Sequence, residues 1–376
     1  MEFSTDEKRQ YQRHFSLPGF GSKGQDLLKR ASVLVIGAGG LGCPVLQYLT
    51  AAGVGEIGIV DEDIVEFSNL QRQVLYSHED IGKLKVEVAS TKLKQLNPYI
   101  KISSFAVRFN ASNAKTLIDN FDIVIDGTDN FDSRYLINDA CVLFDKVLIY
   151  GAINQFNGQV SVFNLQNGPT YRCLFPHPPS GNALPSCSEI GVLGVLPGII
   201  GNFQALEAIK VITGVGEVLN GKVLLYDALN QKSQIVTVNP IQKSREIYQL
   251  SDQVTPCPTH SKIKTDPMIT EIEPKVFSEM IEKQEDLFVL DVREDWEREV
   301  AMIAPSIHIP LGEFSSSSSG PELPSEISRD DNIVIYCKAG VRSRMACEVL
   351  QEKGYKKLHN LSGGILKWEA DGFPFA

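Results

Sequence analysis

No apolar run in this sequence approaches the roughly 20 residues needed to cross a bilayer, so a transmembrane protein is not expected. The opening stretch MEFSTDEKRQYQRH is charged and has no apolar core, which excludes a secretory signal and points to a cytoplasmic location. Basic residues are in deficit: 36 Lys and Arg against 46 Asp and Glu, a net charge of -10. Nucleic acid asks for basic surface, so a nucleic-acid partner is not expected, although a local basic pocket for a nucleotide is compatible with this balance. A paired cysteine framework is also lacking. The seven cysteines, Cys43, Cys141, Cys173, Cys187, Cys257, Cys337 and Cys347, are odd in number and scattered. In a chain of this kind that pattern suggests thiol chemistry or metal binding at some of them. Cys43, Cys141 and Cys347 sit in helical apolar patterns and read as small buried hydrophobes. No internal repeat is present.

What is there suits two globular domains. The chain has 376 residues, 43% hydrophobic and 22% charged, enough to bury two cores. Strand patterns at VLVIG (33–37), IGIVDED, FDIVIDG and VLIYG (147–151) alternate with helical patterns over 41–52 and 83–97. That alternation predicts an α/β fold, a Rossmann-like doubly wound sheet with right-handed crossovers. A charged helix and a glycine-containing loop over 17–24 precede it. After residue 151, QVSVF and KVLLYDA read as strands of a mixed sheet, separated by a Pro/Gly/Ser-rich loop over 175–188 and a helix over 196–213. The polar stretch 239–268 carries Pro240, Pro256, Pro258 and Pro267 and reads as a linker. The expected division is residues 1–245, a linker over 246–270, and a smaller α/β domain over 271–376, with a flexible surface loop at the serine run 315–319.

Gly37, Gly39, Gly40 and Gly42 form a G-x-G-x-x-G-like loop between a strand and a helix. Such glycines let a phosphate approach the backbone, and the helix N-terminus favours an anion. Asp61 follows at the distance where an acid bonds ribose hydroxyls. Alone the loop fits a dinucleotide oxidoreductase equally well, or a tight turn with no ligand. The residues that follow favour nucleotide activation: Asp63 and Asn69 lead to Arg72 and Lys85, cations that suit a triphosphate and that hydride transfer does not use. In Asp126-Gly127-Thr128-Asp129-Asn130, acids stand beyond a strand end, where a carboxylate can hold Mg²⁺ between phosphates.

Taken in order, VLVIGAGGLG, VDEDIVEFSNLQRQ, GKLK, DGTDN and SCSEIGVLG resemble the adenylyltransferases of molybdopterin synthase and of thiamine sulfur carriers, bacterial relatives of the ubiquitin-activating enzymes. The resemblance covers residues 1 to about 250. It implies that Asp61 holds the ribose of ATP, that Asn69, Arg72 and Lys85 hold phosphates, and that Asp129 holds Mg²⁺. It also implies that Arg13 reaches the nucleotide of a partner subunit, hence a homodimer.

Cys187 lies in Pro185-Ser186-Cys187-Ser188-Glu189, where the resemblance places an acceptor or thioester cysteine; an inconsequential loop thiol is the plain alternative. The resemblance also implies a structural zinc held by two C-x-x-C pairs. This sequence departs from both, with Thr170 ahead of Cys173 and His260 closing the pair begun by Cys257. Cys173, Cys257 and His260 make three ligands where structural zinc takes four, so a tightly held zinc is not expected.

The C-terminal part resembles a rhodanese sulfurtransferase, through LDVRE, the loop from Cys337 to Arg342 and Ser343, and Gly363-Gly364-Ile365 with Trp368. A cysteine after a buried strand, in a tight turn into a helix, has backbone amides round its sulfur, and Arg342 is expected to favour its thiolate. Six residues from Cys337 to Arg342 favour sulfur over the longer phosphatase loop.

Together the two resemblances imply ATP-dependent adenylation of the C-terminal glycine of a ubiquitin-like sulfur carrier ending in Gly-Gly, then sulfur transfer from a Cys337 persulfide. A cysteine desulfurase or thiosulfate would load the sulfur. Molybdenum cofactor, tRNA thiolation, thiamine and cysteine pathways all fit. Two other classes stay open: a dinucleotide-dependent oxidoreductase with a sulfurtransferase tail, and a non-catalytic docking protein for a ubiquitin-like partner.

Overall fold

A computed structural model of the chain describes residues 2–176, 191–252, 269–283, 287–303, 305–315 and 323–375. Among them, residues up to 252 form one compact unit and residues from 269 onward another. The α/β expectation holds in both.

The first unit is built on one sheet of eight strands: β1 (Ser32–Ile36), β2 (Glu56–Val60), β3 (Lys101–Phe105), β4 (Ile123–Asp126), β5 (Val147–Asn154), β6 (Asn157–Phe163), β7 (Lys222–Asp227) and β8 (Lys232–Thr237). Their order is β3-β2-β1-β4-β5-β6-β7-β8. The strands β1 to β5 run parallel, and β6, β7 and β8 continue the sheet antiparallel. Alternate residues of β1 face opposite cores. Val33 and Val35 meet the Gly42–Ala52 and Lys85–Leu96 helices, while Leu34 and Ile36 meet Phe131–Leu143. Burial on both faces explains the continuous apolar strands.

The chain winds outward from β1 through β2 to β3, then returns to the far side of β1 at β4. The winding therefore reverses between β1 and β4, which pair in register from Val33↔Ile123 to Ile36↔Asp126. The crevice beyond their carboxyl ends is where open sheets of this kind take ligands.

Three local readings change. A helix, Gly21–Arg30, begins inside the expected 17–24 loop; its glycines lower helix propensity, but Gly24 is pressed against the Phe20 ring, where a larger residue would clash. The strand β8 was not legible because all six of its residues are exposed. The 19-residue helix Val195–Thr213 does reach the length and hydropathy of a membrane span. It packs within the unit, burying Leu196, Ile200, Gln204 and Ala208.

The second unit is a five-stranded, all-parallel sheet: β9 (Ile269–Ile272), β10 (Leu287–Asp291), β11 (Ile307–His308), β12 (Asn332–Tyr336) and β13 (Lys357–Leu361), ordered β11-β10-β12-β13-β9. The Val341–Glu352 helix covers one face, and Pro274–Glu282 with Gly364–Ala370 the other. Cys337 follows directly on the central strand β12.

Candidate functional site

In the first unit, the loops after β1 and β4 meet backbone to backbone. Gly37 has φ +96°, and a Cβ there would lie 2.7 Å from the Gly127 carbonyl oxygen. A Cβ on Gly127 would meet the Gly37 carbonyl oxygen at the same distance. No side chain fits at either place, and that is the physical demand behind these glycines. The loop over Gly39 and Gly40 then enters the Gly42–Ala52 helix, so backbone amides and the positive end of the helix dipole face the crevice.

Acids and bases from β2 and the segment after it frame this cradle. Asp61 accepts hydrogen bonds from the Ala38 amide at 2.7 Å and the Asp63 amide at 2.8 Å. Burial raises its pKa, and the Lys85 charge opposes that rise. Lys85 opens the Lys85–Leu96 helix and is itself buried; its ammonium donates to Asp63 Oδ2 at 2.8 Å. The Arg72 stem runs beside Gly40, while its guanidinium donates to the Ser68 carbonyl at 3.0 Å. Asn69 accepts from the Glu66 amide and closes the short turn that presents Arg72.

At the end of β4 the two acids of DGTDN part ways. Asp126 is buried; it accepts from the Thr128 amide at 2.9 Å and from the Thr128 hydroxyl at 2.6 Å. The Arg134 guanidinium stands 4.0 Å from its other oxygen. Burial pushes its pKa up, and Arg134 and Thr128 pull it back. This carboxylate is spent on folding the loop. Asp129, three residues on, is exposed.

Arg13 does not join the cluster. It is exposed on the Gln12–Phe15 helix. Its neighbour His14 bonds Gln25, which donates to the Ala52 carbonyl. That ties the N-terminal helices to the end of the Gly42–Ala52 helix farthest from the cradle, about 15 Å away at 1.5 Å per residue.

In the second unit, Cys337 is buried beneath a turn into the Val341–Glu352 helix. The Gly340 amide donates to its sulfur at 3.1 Å, and the Ser343 hydroxyl lies 3.4 Å from it. Gly340 has φ +92°, Gly364 is wedged against the Cys337 and Lys338 carbonyls, and the Ile365 amide bonds the Cys337 carbonyl at 2.9 Å. Arg342 lies near enough to act on the sulfur electrostatically. Its guanidinium does not bond the sulfur but makes a bidentate pair with Glu297, 2.7 Å at each contact. Burial would push the Glu297 carboxyl up, but Arg342 holds it below its ordinary value. A second buried pair, Arg293 with Asp291, lies beside it, and Tyr336 donates to Asp291 at 2.8 Å.

Residues 11–247 match the ThiF family, and residues 273–371 match the rhodanese-like domain. The chain belongs to the ThiF family. Its C-terminal part is a rhodanese-like domain, and with that membership it is an adenylyltransferase and sulfurtransferase. A probable adenylyltransferase/sulfurtransferase MoeZ of Mycobacterium tuberculosis is 39% identical over 371 residues, covering 97% of this chain and 93% of that protein. The sulfur carrier protein adenylyltransferase of Thermus thermophilus is 51% identical over 243 residues, 63% of this chain and 90% of that protein. In fold, E. coli MccB superposes with a TM-score of 0.57 at 23% identity, over 69% of this chain and 77% of that one.

Of the three ligands named for the structural zinc that the ThiF-family resemblance implies, only Cys173 is among the described residues. Cys257 and His260 lie outside the described residues, as does Cys187. Around Cys173 the structure places two hydroxyls, Thr170 and Ser244. Ser244 Oγ is 2.9 Å from the Cys173 sulfur and 3.0 Å from Thr170 Oγ1. Zinc between a sulfur at about 2.3 Å and an oxygen at about 2.0 Å would hold them roughly 3.5 Å apart at a tetrahedral angle. Hydrogen bonds hold this cluster, and the Ile241 amide adds another to the sulfur at 3.2 Å. Burial pushes the Cys173 thiol up, yet the Ser244, Thr170 and Ile241 donors hold it below its ordinary value. Among the described residues no group of three or more His, Cys, Asp or Glu is placed to hold a metal.

Sequence reading passed over several residues. Gln73 is buried beside Gly39, with its Oε1 unpartnered. Tyr76 donates to the Ala38 carbonyl at 2.8 Å, and Gln204 donates to the Asp126 carbonyl at 2.7 Å. Glu297 and Ser244 carry no local motif that would have flagged them.

Proposed function

We propose that the first unit uses ATP to adenylate the C-terminal glycine of a ubiquitin-like sulfur-carrier protein, and that Cys337 then supplies the sulfur. The observation that carries this reading is the cradle of Gly37 and Gly127 at the β1/β4 reversal, with Lys85, Arg72 and the exposed Asp129 around it. Hydride transfer gives such cations nothing to do, whereas a triphosphate does. The names of the Thermus and Mycobacterium relatives support the same reading.

In this scheme a carrier carboxylate oxygen attacks the α-phosphorus of ATP, and pyrophosphate leaves. Lys85 exchanges Asp63 for phosphate oxygens, Arg72 swings from the Ser68 carbonyl to do the same, and Asp61 takes the ribose. Asp129 would hold Mg²⁺, which when bound neutralises phosphate charge. The terminal sulfur of a Cys337 persulfide then attacks the acyl carbon, and AMP leaves. Cys187 takes a place in this transfer, as a thioester acceptor or as the thiol that cleaves the acyl disulfide, leaving a thiocarboxylate and a Cys187–Cys337 disulfide. A dithiol reductant then opens that disulfide, taking up the oxidation as its own disulfide, and a cysteine desulfurase or thiosulfate reloads the freed Cys337 thiol. Arg13, held away from its own cradle, serves the nucleotide of a second copy in a homodimer, and the reactions run in the cytoplasm.

Mass spectrometry of a Gly-Gly-ended carrier tests the scheme. Wild-type chain with ATP and a persulfide donor should exchange one carboxyl oxygen for sulfur. Cys337→Ala should keep ATP–pyrophosphate exchange and lose that product. Thiocarboxylate formed by Cys337→Ala at the wild-type rate would demote the second unit to a docking module. Arg13→Ala mixed with Asp129→Ala should regain exchange through one intact site per mixed dimer; no recovery despite subunit exchange would remove the shared site.

A further inference from the structure

A serine hydroxyl has a single proton to give. Buried Ser343 stands between two groups that could take it: Asn360 Oδ1 at 2.6 Å and Cys337 Sγ at 3.4 Å. The orientation of the Asn360 amide decides between them. Its nitrogen donates to Glu271 Oε2 and to the Gly340 carbonyl, each at 2.9 Å. A carbonyl can only accept, and so can an ionised carboxylate, so the nitrogen must face that side. Asn360 Oδ1 therefore faces Ser343, where it accepts the proton. Glu271 is fixed in turn by Arg344, which donates to its other oxygen at 2.8 Å. What Ser343 turns toward the sulfur is a lone pair. A thiol can donate to that lone pair, but a thiolate gains nothing from it until the hydroxyl leaves Asn360.

We propose that Asn360, held by Glu271, is a positioning residue that keeps the Ser343 hydroxyl an acceptor toward Cys337, so that the hydroxyl is withheld from the thiolate until it leaves Asn360. When the thiol loses that proton to water, the hydroxyl turns from Asn360 and donates to the sulfur. The Gly340 amide donates to the sulfur in either state. The proposal rests on the reading of Cys337 as the sulfur carrier.

The other charged groups near the sulfur do not take over this role. Arg342 acts on it only electrostatically and is paired with Glu297. Asp291, the last residue of β10, and Arg293 just beyond it neutralise each other. Lys338 is half-buried next in the chain, and Cys347, on the helix behind, is kept neutral by burial. From the Gly364–Ala370 helix the Ile365 amide reaches only the Cys337 carbonyl, and Lys367 is paired with Glu273.

The test is the pH profile of Cys337 alkylation by iodoacetamide in the full chain, read peptide by peptide by mass spectrometry. Asn360→Ala frees the hydroxyl to serve the thiolate and should lower the midpoint by roughly one pH unit, about tenfold more thiolate at a given pH. Ser343→Ala/Asn360→Ala should match Ser343→Ala alone, because the shift passes through that hydroxyl. An unchanged or raised midpoint in Asn360→Ala, or the same shift without Ser343, overturns the proposal. If Asn360→Ala does not fold, Asn360→Asp takes its place; it accepts more strongly and should raise the midpoint, and a fall would overturn the idea equally. Persulfide loading of Cys337 in the wild-type chain is measured alongside. Its absence would sink the carrier reading while leaving the alkylation profile interpretable.

Discussion

The two units hold charge in opposite ways. In the first, the groups that frame the glycine cradle have partners they can give up: the Lys85 ammonium sits on an exposed Asp63, and Arg72 lies on a backbone carbonyl. In the second, the charges near Cys337 are locked into pairs that water does not reach, Glu297 with Arg342 and Asp291 with Arg293. A site that must receive a polyanion keeps its cations loosely committed. On the proposed reading, a site that carries one sulfur atom uses its charges to hold a loop still, and leaves the sulfur to the Gly340 amide and one hydroxyl.

The largest effect should come from breaking a locked pair. Glu297→Gln leaves the Arg342 charge buried without its partner, which typically costs about 3–5 kcal/mol. The unfolding transition of the second unit should move to lower temperature by calorimetry, with the first unit unchanged. The same pair makes a pH prediction. Arg342 lowers the Glu297 carboxyl below its ordinary 4.5. The stability this contributes is present above that value and is lost as pH falls through the lowered folded value. Glu297→Gln should flatten this acid limb. An acid limb as steep as the wild type's would mean the pair does not anchor the loop.

In the first unit the corresponding change strikes function rather than stability. Asp129→Ala removes an exposed carboxylate and should leave the melting temperature nearly unchanged. ATP–pyrophosphate exchange should fall by about 10²–10³, as for loss of one electrostatic stabiliser. Near-normal exchange would take Asp129 out of the site.

The contrast also explains what was legible. The cradle could be read from spacing because Gly37 to Gly42 are neighbours in sequence and their geometric demand is local. Cys337 to Arg342 could be read for the same reason. The division of labour between Asp126 and Asp129 could not, because it depends on Arg134 arriving on the next helix and Gln204 from a helix much farther along. The partner of Arg342 was hidden in the same way. Sequence showed a cation beside the sulfur but not the carboxylate 45 positions earlier that claims it. Pairings set by topology, with no spacing rule, are what the sequence hides.

The smallest effect concerns Cys173, where position 170 of the expected zinc pair is a hydroxyl and the structure adds a second from Ser244. If hydrogen bonds close this corner, a chelator has nothing to remove, and the first unit should melt at the same temperature with and without one. Ser244→Ala withdraws one hydrogen-bond partner from the Cys173 sulfur and one from Thr170, and each such bond contributes about 1 kcal/mol. The melting temperature should therefore fall by a few degrees, and Thr170→Val should lower it by a similar amount. The two changes together should cost less than their sum, because both act on one cluster. One zinc per chain by elemental analysis, or a chelator-induced drop larger than that of Ser244→Ala, would show that ligands beyond this hydroxyl pair complete a metal site. Additive losses from the two variants would instead mean that Thr170 and Ser244 stabilise the unit separately, and that the thiol is not what they share.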